Sequence, residues 1–300
     1  MAKRRWERGC TWGVLRLAVV LTVASLVCGD TATSGLERIR TRYYRLHTDL
    51  PAEEAQDLAK FLDQMFVSYA RIFRYKEHRR APLDVFVFSS REGFLAYGES
   101  EGLGAKIAGL RGFFSLQVKA MASYGSGEEL RRVLAHEGTH QFITLVTKLT
   151  HQPPLWFHEG LATYFETASW QDGKLTLGAL NRERLAELAL MCPEGRFLPM
   201  IPLRHLLEAR EFTPFHYGEA WSFVYFLLHA DEGRNADVLN RYFILIQERE
   251  EPVEAFAKAF RAPLDKVEEA WRTYVDELLK KHAPQPPGGP AGSTPSSGRP

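Results

Sequence analysis

Apolar positions change period several times along the chain, and each change predicts an element. After Pro51, the residues Leu58, Phe61, Leu62, Met65, Tyr69 and Ile72 recur at helical spacing. The basic stretch Arg74–Arg80 closes this helix as a solvated turn. Residues 38–48, rich in Tyr, Arg and Thr, read as one strand before it. Leu83–Phe88 is apolar except for Asp84, which is the pattern of a buried strand. Gly93, Gly98, Gly102, Gly104 and Gly109 then mark a loop-rich region, with no phosphate-binding glycine loop between a strand and a helix. Phe114, Leu116, Val118 and Ala120 alternate with Ser115, Gln117 and Lys119, so a single half-buried strand is expected there.

The period returns to helical over Glu128–Thr147, where Leu130, Leu134, Phe142, Leu145 and Val146 supply an apolar face. Gly138 inside this helix costs about 1 kcal/mol relative to Ala, so a close approach by a neighbouring element is expected at that point. Pro153 and Pro154 restart the chain as a second helix reaching about Thr167. Nothing after Leu177 reads as a strand. Helices are predicted over 181–191, 202–209, 217–230, 236–248, 252–260 and 265–281, the last with Trp271, Tyr274, Val275 and Leu278 on one face. From Ala283 the chain is almost entirely Pro, Gly, Ser and Ala, a composition that buries no core and predicts a disordered tail.

At the other end, Lys3, Arg4, Arg5, Arg8 and Arg16 accompany an apolar run from Leu17 to Cys28. Twelve residues are short for a membrane span, which needs about 20, and suit the apolar centre of a signal peptide. Val27 and Gly29 stand where a signal peptidase reads, which predicts cleavage after Gly29. Ser25-Leu26-Val27 before Cys28 makes a poor lipobox. The expected organisation is a signal peptide over 1–29, one domain over 30–282 and a tail over 283–300. Within the domain, a sheet half (about 38–127) precedes two central helices (128–167) and a helical half (178–282). An extracytoplasmic location follows, with an uncleaved or lipid anchor as the alternative and membrane contact only through that segment.

Charge excludes little except by its balance. The 300 residues carry 38 basic and 37 acidic side chains, so no basic surplus points to nucleic acid or an anionic membrane. The cysteines are Cys10, Cys28 and Cys192; the mature chain keeps Cys192 alone and forms no internal disulfide.

The candidate chemistry lies in His136-Glu137-Gly138-Thr139-His140. Histidines four apart share one helix face, so both imidazoles can meet on one metal ion. Glu159, after eighteen intervening residues, is the candidate third ligand. Three protein ligands leave a zinc coordination position open to water, the arrangement of a catalytic site. Glu137 lies about 100° around the helix from His136, off the ligand face but able to lean over the open position and take the proton of that water. Glu166, seven residues after Glu159, lies on the same face and is placed to orient a ligand histidine. Trp156 reads as packing, and His158 as an exposed histidine, because adjacent helix residues face different ways.

Together these motifs resemble the gluzincins, zinc metallopeptidases whose third ligand is a glutamate. Leu155-Trp156-Phe157-His158-Glu159-Gly160-Leu161-Ala162-Thr163-Tyr164-Phe165-Glu166 is similar to the W-x-x-E-G-x-x-x-Y-x-E stretch of peptidases related to leukotriene hydrolase. The segment from Tyr217 to Leu227 resembles the helix that opens with their catalytic tyrosine. The likeness covers roughly residues 113–230, and by size and motif the overall type is that of small bacterial peptidase-MA-like proteins. It implies an α+β zincin-like fold, with a small N-terminal mixed sheet, an all-helical C-terminal half and an active-site cleft between them. It further implies a zinc-dependent peptidase acting on a peptide or protein, with Glu137 as general base. Tyr217 would be the oxyanion donor, and His158, His205 and His216 the runners-up. The strand at 114–120 would hold the substrate backbone by strand addition. No G-x-M-E-N-like segment precedes His136, so exopeptidase activity is not implied. Hydrolysis of non-peptide amides is a further reading of the same chemistry. The alternative from another class is a catalytically retired binding module on the same fold; the presence of Glu137 favours the enzyme. The substrate pocket is expected from residues 95–125 and 195–217.

Overall fold

The computed structural model describes residues 33–76, 81–147, 149, 151–190 and 201–282. The predicted signal peptide, the tail, Cys192 and part of the basic turn after Arg74 lie outside the described residues.

The protein is a mixed α+β structure with an N-terminal five-stranded sheet followed by helices. The stretch read as one strand at 38–48 is two, β1 (Glu37–Arg40) and β2 (Tyr44–Thr48), paired antiparallel. Thr41 and Asp63 make the turn between them. The Thr41 hydroxyl donates to Asp63 Oδ1 at 2.5 Å and accepts the Tyr44 amide at 3.0 Å, so backbone donors that would continue a strand are captured by side chains. Asp63 belongs to α1 (Ala52–Ile72), the helix expected after Pro51. β3 (Leu83–Phe88) runs parallel to β2 at the centre of the sheet, as its apolar run implied. After α2 (Arg91–Ser100) come β4 (Gly112–Ser115) and β5 (Ala120–Tyr124), which complete the order β1-β2-β3-β5-β4.

The period-two stretch at 114–120 is therefore not one strand. It crosses a hairpin turn, with Phe114 opposite Met121 and Ser115 opposite Ala120. Leu116 projects into solvent at 43 % exposure and Lys119 adopts a positive φ of 54°, so neither extends the ladder. Among the described residues, β4 is the sheet's edge, paired only with β5.

One face of the sheet packs Tyr44, Leu46, Val85, Val87 and Met121 against α1 and against α3 (Gly127–Gln141). Phe88, Phe113 and Ala122 form a smaller core with Phe94 and Tyr97 of α2 on the other face. Beyond α4 (Leu155–Phe165), a short hairpin joins β6 (Ser169–Gln171) to β7 (Lys174–Thr176). Asp172 and Gly173 at its tip both have positive φ, the Asp-Gly turn chemistry of a two-residue hairpin. The helical half is α5 (Arg182–Leu190), α6 (Leu203–Glu208), α7 (Pro214–His229), α8 (Asp237–Gln247), α9 (Pro252–Phe260) and α10 (Leu264–His282). Proline at its first position starts α7 three residues ahead of the apolar pattern. Trp156, Trp221 and Trp271 are fully buried in a core continuous with that under the sheet. No helix among the described residues is long and apolar enough to cross a membrane.

Candidate metal centre

The sequence positions α3 firmly. Glu128 and Glu129 in its first turn favour the positive end of the helix dipole, and Leu130 and Leu134 bury its inner face. Tyr69 of α1 donates its hydroxyl to the Ala135 carbonyl at 2.8 Å. That close approach explains Gly138, where a Cβ would sit 2.8 Å from the same hydroxyl oxygen. Past Gln141 the helix changes type, and Phe142–Val146 form a π-helical turn, a device frequent beside functional sites. Gln141 pins this junction to the sheet by donating from Nε2 to the Asp84 carbonyl at 2.9 Å. On the other side, α4 meets α7 so closely that a Cβ on Gly160 would lie 2.6 Å from the Ala220 carbonyl oxygen. Glu159, the residue before that contact, is thereby held opposite α3.

Three side chains converge between these helices. His140 Nε2 lies 3.2 Å from His136 Nε2, and Glu159 Oε2 lies 3.6 Å from His136 Nε2 and 3.7 Å from His140 Nε2. A tetrahedral ion with bonds of about 2.0–2.2 Å needs donors roughly 3.3–3.6 Å apart, so the triangle fits an ion at its centre. Its chemistry fits as well. Glu159 Oε2 is buried with no hydrogen-bond partner among the described residues, an orphaned anionic oxygen that a cation would satisfy. Among the described residues, this is the cluster of three that could hold a metal ion.

Glu166 reaches the triangle from behind. Its Oε1 stands 2.7 Å from His136 Nδ1, and its Oε2 lies 3.4 Å from Arg132 Nη2. Arg132 in turn binds Glu183 of α5 at 2.6 Å. A Nδ1–H donated to Glu166 leaves the Nε2 lone pair facing the triangle.

The charges are strongly coupled. Burial opposes a charged His136, but the Glu166 hydrogen bond and the carboxylates of Glu137 and Glu159 carry its pKa up to about 9. Burial pushes Glu159 up to about 7 despite His136. Glu166 is also buried, yet His136 and Arg132 hold it below the usual carboxylate range. Burial lifts Glu137, and the charge of His136, then a backbone hydrogen bond from Phe114 of β4, partly offset this. His140 is pushed well down by burial and by His136.

Tyr217 is the fourth residue of α7, and with His158 and Glu159 it lines a cleft of about 1020 Å³. Burial and the charge of Glu159 raise its phenol far above the ordinary tyrosine value, so it is a hydrogen-bond donor at neutral pH. The Arg184 guanidinium sits 5.6 Å from its ring centre.

The cleft is lined by residues 151–155, 158, 159, 208–212, 217, 246 and 249–252. Of the segments expected to form it, residues 95–125 contribute nothing among the described lining; Phe114 meets the site instead through Glu137. Residues 191–200 lie outside the described residues. His158 is not the exposed histidine expected from its neighbour's orientation. It is only 4 % exposed, because α4 is covered by neighbours nearly all round. Burial lowers its pKa to about 4. His205 is exposed, and His216 caps α7 by accepting the Thr213 amide on Nδ1 at 3.0 Å.

Sequence reasoning missed Arg132, Glu183 and Arg184. Arg132 had a legible signal, since it stands one turn before His136 on the same face.

Residues 132–254 match a protein family described as being of unknown function, DUF1570. That segment contains the three converging side chains, Glu137, Glu166 and Tyr217. No curated protein matches the chain.

Proposed function

We propose that the protein is an extracytoplasmic zinc-dependent peptidase of gluzincin type, with the zincin-like arrangement of sheet half, helical half and intervening cleft. One observation carries the reading: two imidazole nitrogens and an orphaned carboxylate oxygen converge at 3.2–3.7 Å, with the buried carboxyl of Glu137 one residue from a ligand. A closed structural site needs the three ligands and a fourth, but no adjacent base.

Zinc held by His136, His140 and Glu159 would supply a Lewis acid and lower the pKa of the water it binds. Glu137 takes a proton from the attacking water and carries it to the departing amide nitrogen as the carbon–nitrogen bond breaks. Its burial raises its proton affinity toward that task. Tyr217 donates its hydroxyl to the carbonyl oxygen as charge develops there. The edge of β4, unpaired among the described residues and with Phe114 against Glu137, offers main-chain groups to an extended substrate.

The test is Glu137→Gln, assayed for zinc by elemental analysis and for cleavage of a broad peptide library by mass spectrometry. Wild type should bind one zinc and cleave. The variant should keep the zinc and lose cleavage by at least about a hundredfold. A wild-type protein that binds zinc and cleaves nothing in the library would favour the retired binding module.

A further inference from the structure

The helix α5 is capped by Asn181, whose side chain accepts the Arg184 amide at 3.1 Å and fixes where Arg184 leaves the helix. α5 packs closely on α7 at Gly218, where a Cβ would meet the Leu188 side chain at 3.4 Å and the Arg184 carbonyl oxygen at 3.6 Å. Gly218 directly follows Tyr217, and the same approach sets the Arg184 side chain against the phenol. The guanidinium carbon lies 5.6 Å from the Tyr217 ring centre, within the range of a cation–π contact. Phe212 meets the same ring almost at right angles, with centroids 5.6 Å apart. Arg184 Nη1 donates to both Glu187 oxygens, at 2.9 and 3.1 Å, and the side chain is only 14 % exposed. Its Nε is buried with no hydrogen-bond partner among the described residues, so an apolar side chain would fill this place at less cost to the fold. The charge reaches the site: burial and the carboxylates of Glu159, Glu137 and Glu166 raise the phenol's pKa, and Arg184 opposes them.

We propose that Arg184 is a positioning residue for Tyr217, whose guanidinium fixes the ring and stabilises the negative charge that the phenol takes up as its hydroxyl bonds the substrate's carbonyl oxygen. This rests on the reading of the site as peptidase-like. A phenol that donates to an oxygen gaining charge gives up part of its proton, and its ring grows richer in electrons. The cation beside the ring is then held more strongly than in the resting state, and more so for being out of water. An interaction that strengthens only in the transition state raises kcat and leaves KM unchanged. Arg184 is absent from the cleft lining among the described residues, so it acts through Tyr217 and not on the substrate.

The experiment uses the zinc-loaded full chain and two readouts, peptide cleavage and binding of a phosphinic peptide whose anionic oxygen stands in for the charged carbonyl oxygen. Arg184→Met should lower kcat about three- to thirtyfold, the worth of a partly buried cation–π contact, with KM and zinc content unchanged. It should weaken the phosphinic peptide by a similar factor. Arg184→Lys, which keeps the charge, should recover part of both. Arg184→Gln, which can still bond Glu187, should recover neither and stands in for Arg184→Met if that variant misfolds. In a Tyr217→Phe background, Arg184→Met should lower neither further, since no hydroxyl remains to share its proton. Wild-type kcat and affinity in Arg184→Met overturn the proposal, as do full recovery by Gln or equal losses in both backgrounds. Loss of zinc in Arg184→Met does so too, because it places the action on the ligands. In each of these cases a strong loss in Tyr217→Phe alone keeps the peptidase reading. A wild-type protein that neither cleaves nor binds the phosphinic peptide sinks that reading and this inference with it.

Discussion

The two carboxylate oxygens of Glu166 face different partners, His136 at 2.7 Å and Arg132 at 3.4 Å, and Arg132 is anchored by Glu183 at 2.6 Å. Each link orients the one before it, so the imidazole of His136 is aimed by residues on α4 and α5 as well as by its own helix. Removing such an outer partner costs metal affinity about 10–100-fold, and Glu166→Gln should lie in that range by chelator competition. Arg132→Met should cost less, about three- to tenfold, because it acts only through Glu166. Its effect should vanish when Glu166 is already Gln; equal losses in both backgrounds would show that Arg132 acts elsewhere. Of these residues, His136, His140, Glu159 and Glu166 were legible because each pair repeats along one helix face. Arg132 and Glu183 meet Glu166 only once α3, α4 and α5 are packed. His158 was misread for a related reason. Helical periodicity gives the direction of a side chain, but what covers that direction is decided by other elements.

At the scale of elements, glycines mark where helices approach. Gly138 lies against the Tyr69 hydroxyl and Gly160 against the Ala220 carbonyl. The two contacts differ in kind, since a hydroxyl can be deleted and a main-chain oxygen cannot. Gly138→Ala gains about 1 kcal/mol of helix propensity but drives a methyl into Tyr69, so a net loss of about 1–2 kcal/mol in urea denaturation is expected. In a Tyr69→Phe background the clash partner is gone, and the same Ala should be neutral or stabilising. Strictly additive effects would mean that the hydroxyl contact is not what requires glycine. The elements themselves were read well where the period was sustained, as in α1, β3, α3 and α10. The failures lie at α2, where Gly93 and Gly98 read as loop markers yet stand inside a helix, and at turns. Thr41 with Asp63, and Lys119 with its positive φ, bend stretches whose residue types look continuous. The Asp172-Gly173 tip carried a readable hairpin signal between two strands too short to show alternation.

Across the whole molecule, the candidate site ties together two halves. α3 is packed on the sheet and α4 on α7, so an ion between His136, His140 and Glu159 bridges both parts of one core. Binding to the folded chain alone should therefore stabilise it, by about 4 kcal/mol at a free metal concentration a thousand times Kd. For a chain this size that is roughly 8–16 °C in Tm. The pH dependence of this gain has a definite sign. Without metal, His136 holds its proton up to about pH 9 and Glu159 up to about 7. Metal must displace both below pH 7 and only the His136 proton between 7 and 9. Apparent affinity should then climb about tenfold per unit from pH 7 to 9 and more steeply below 7. The metal-dependent rise in Tm should shrink as the pH falls, and calorimetry with and without zinc at pH 6, 7 and 8.5 measures it. A rise in Tm independent of pH would place the ion on groups other than these, because ligands that give up no proton cannot couple its binding to acidity.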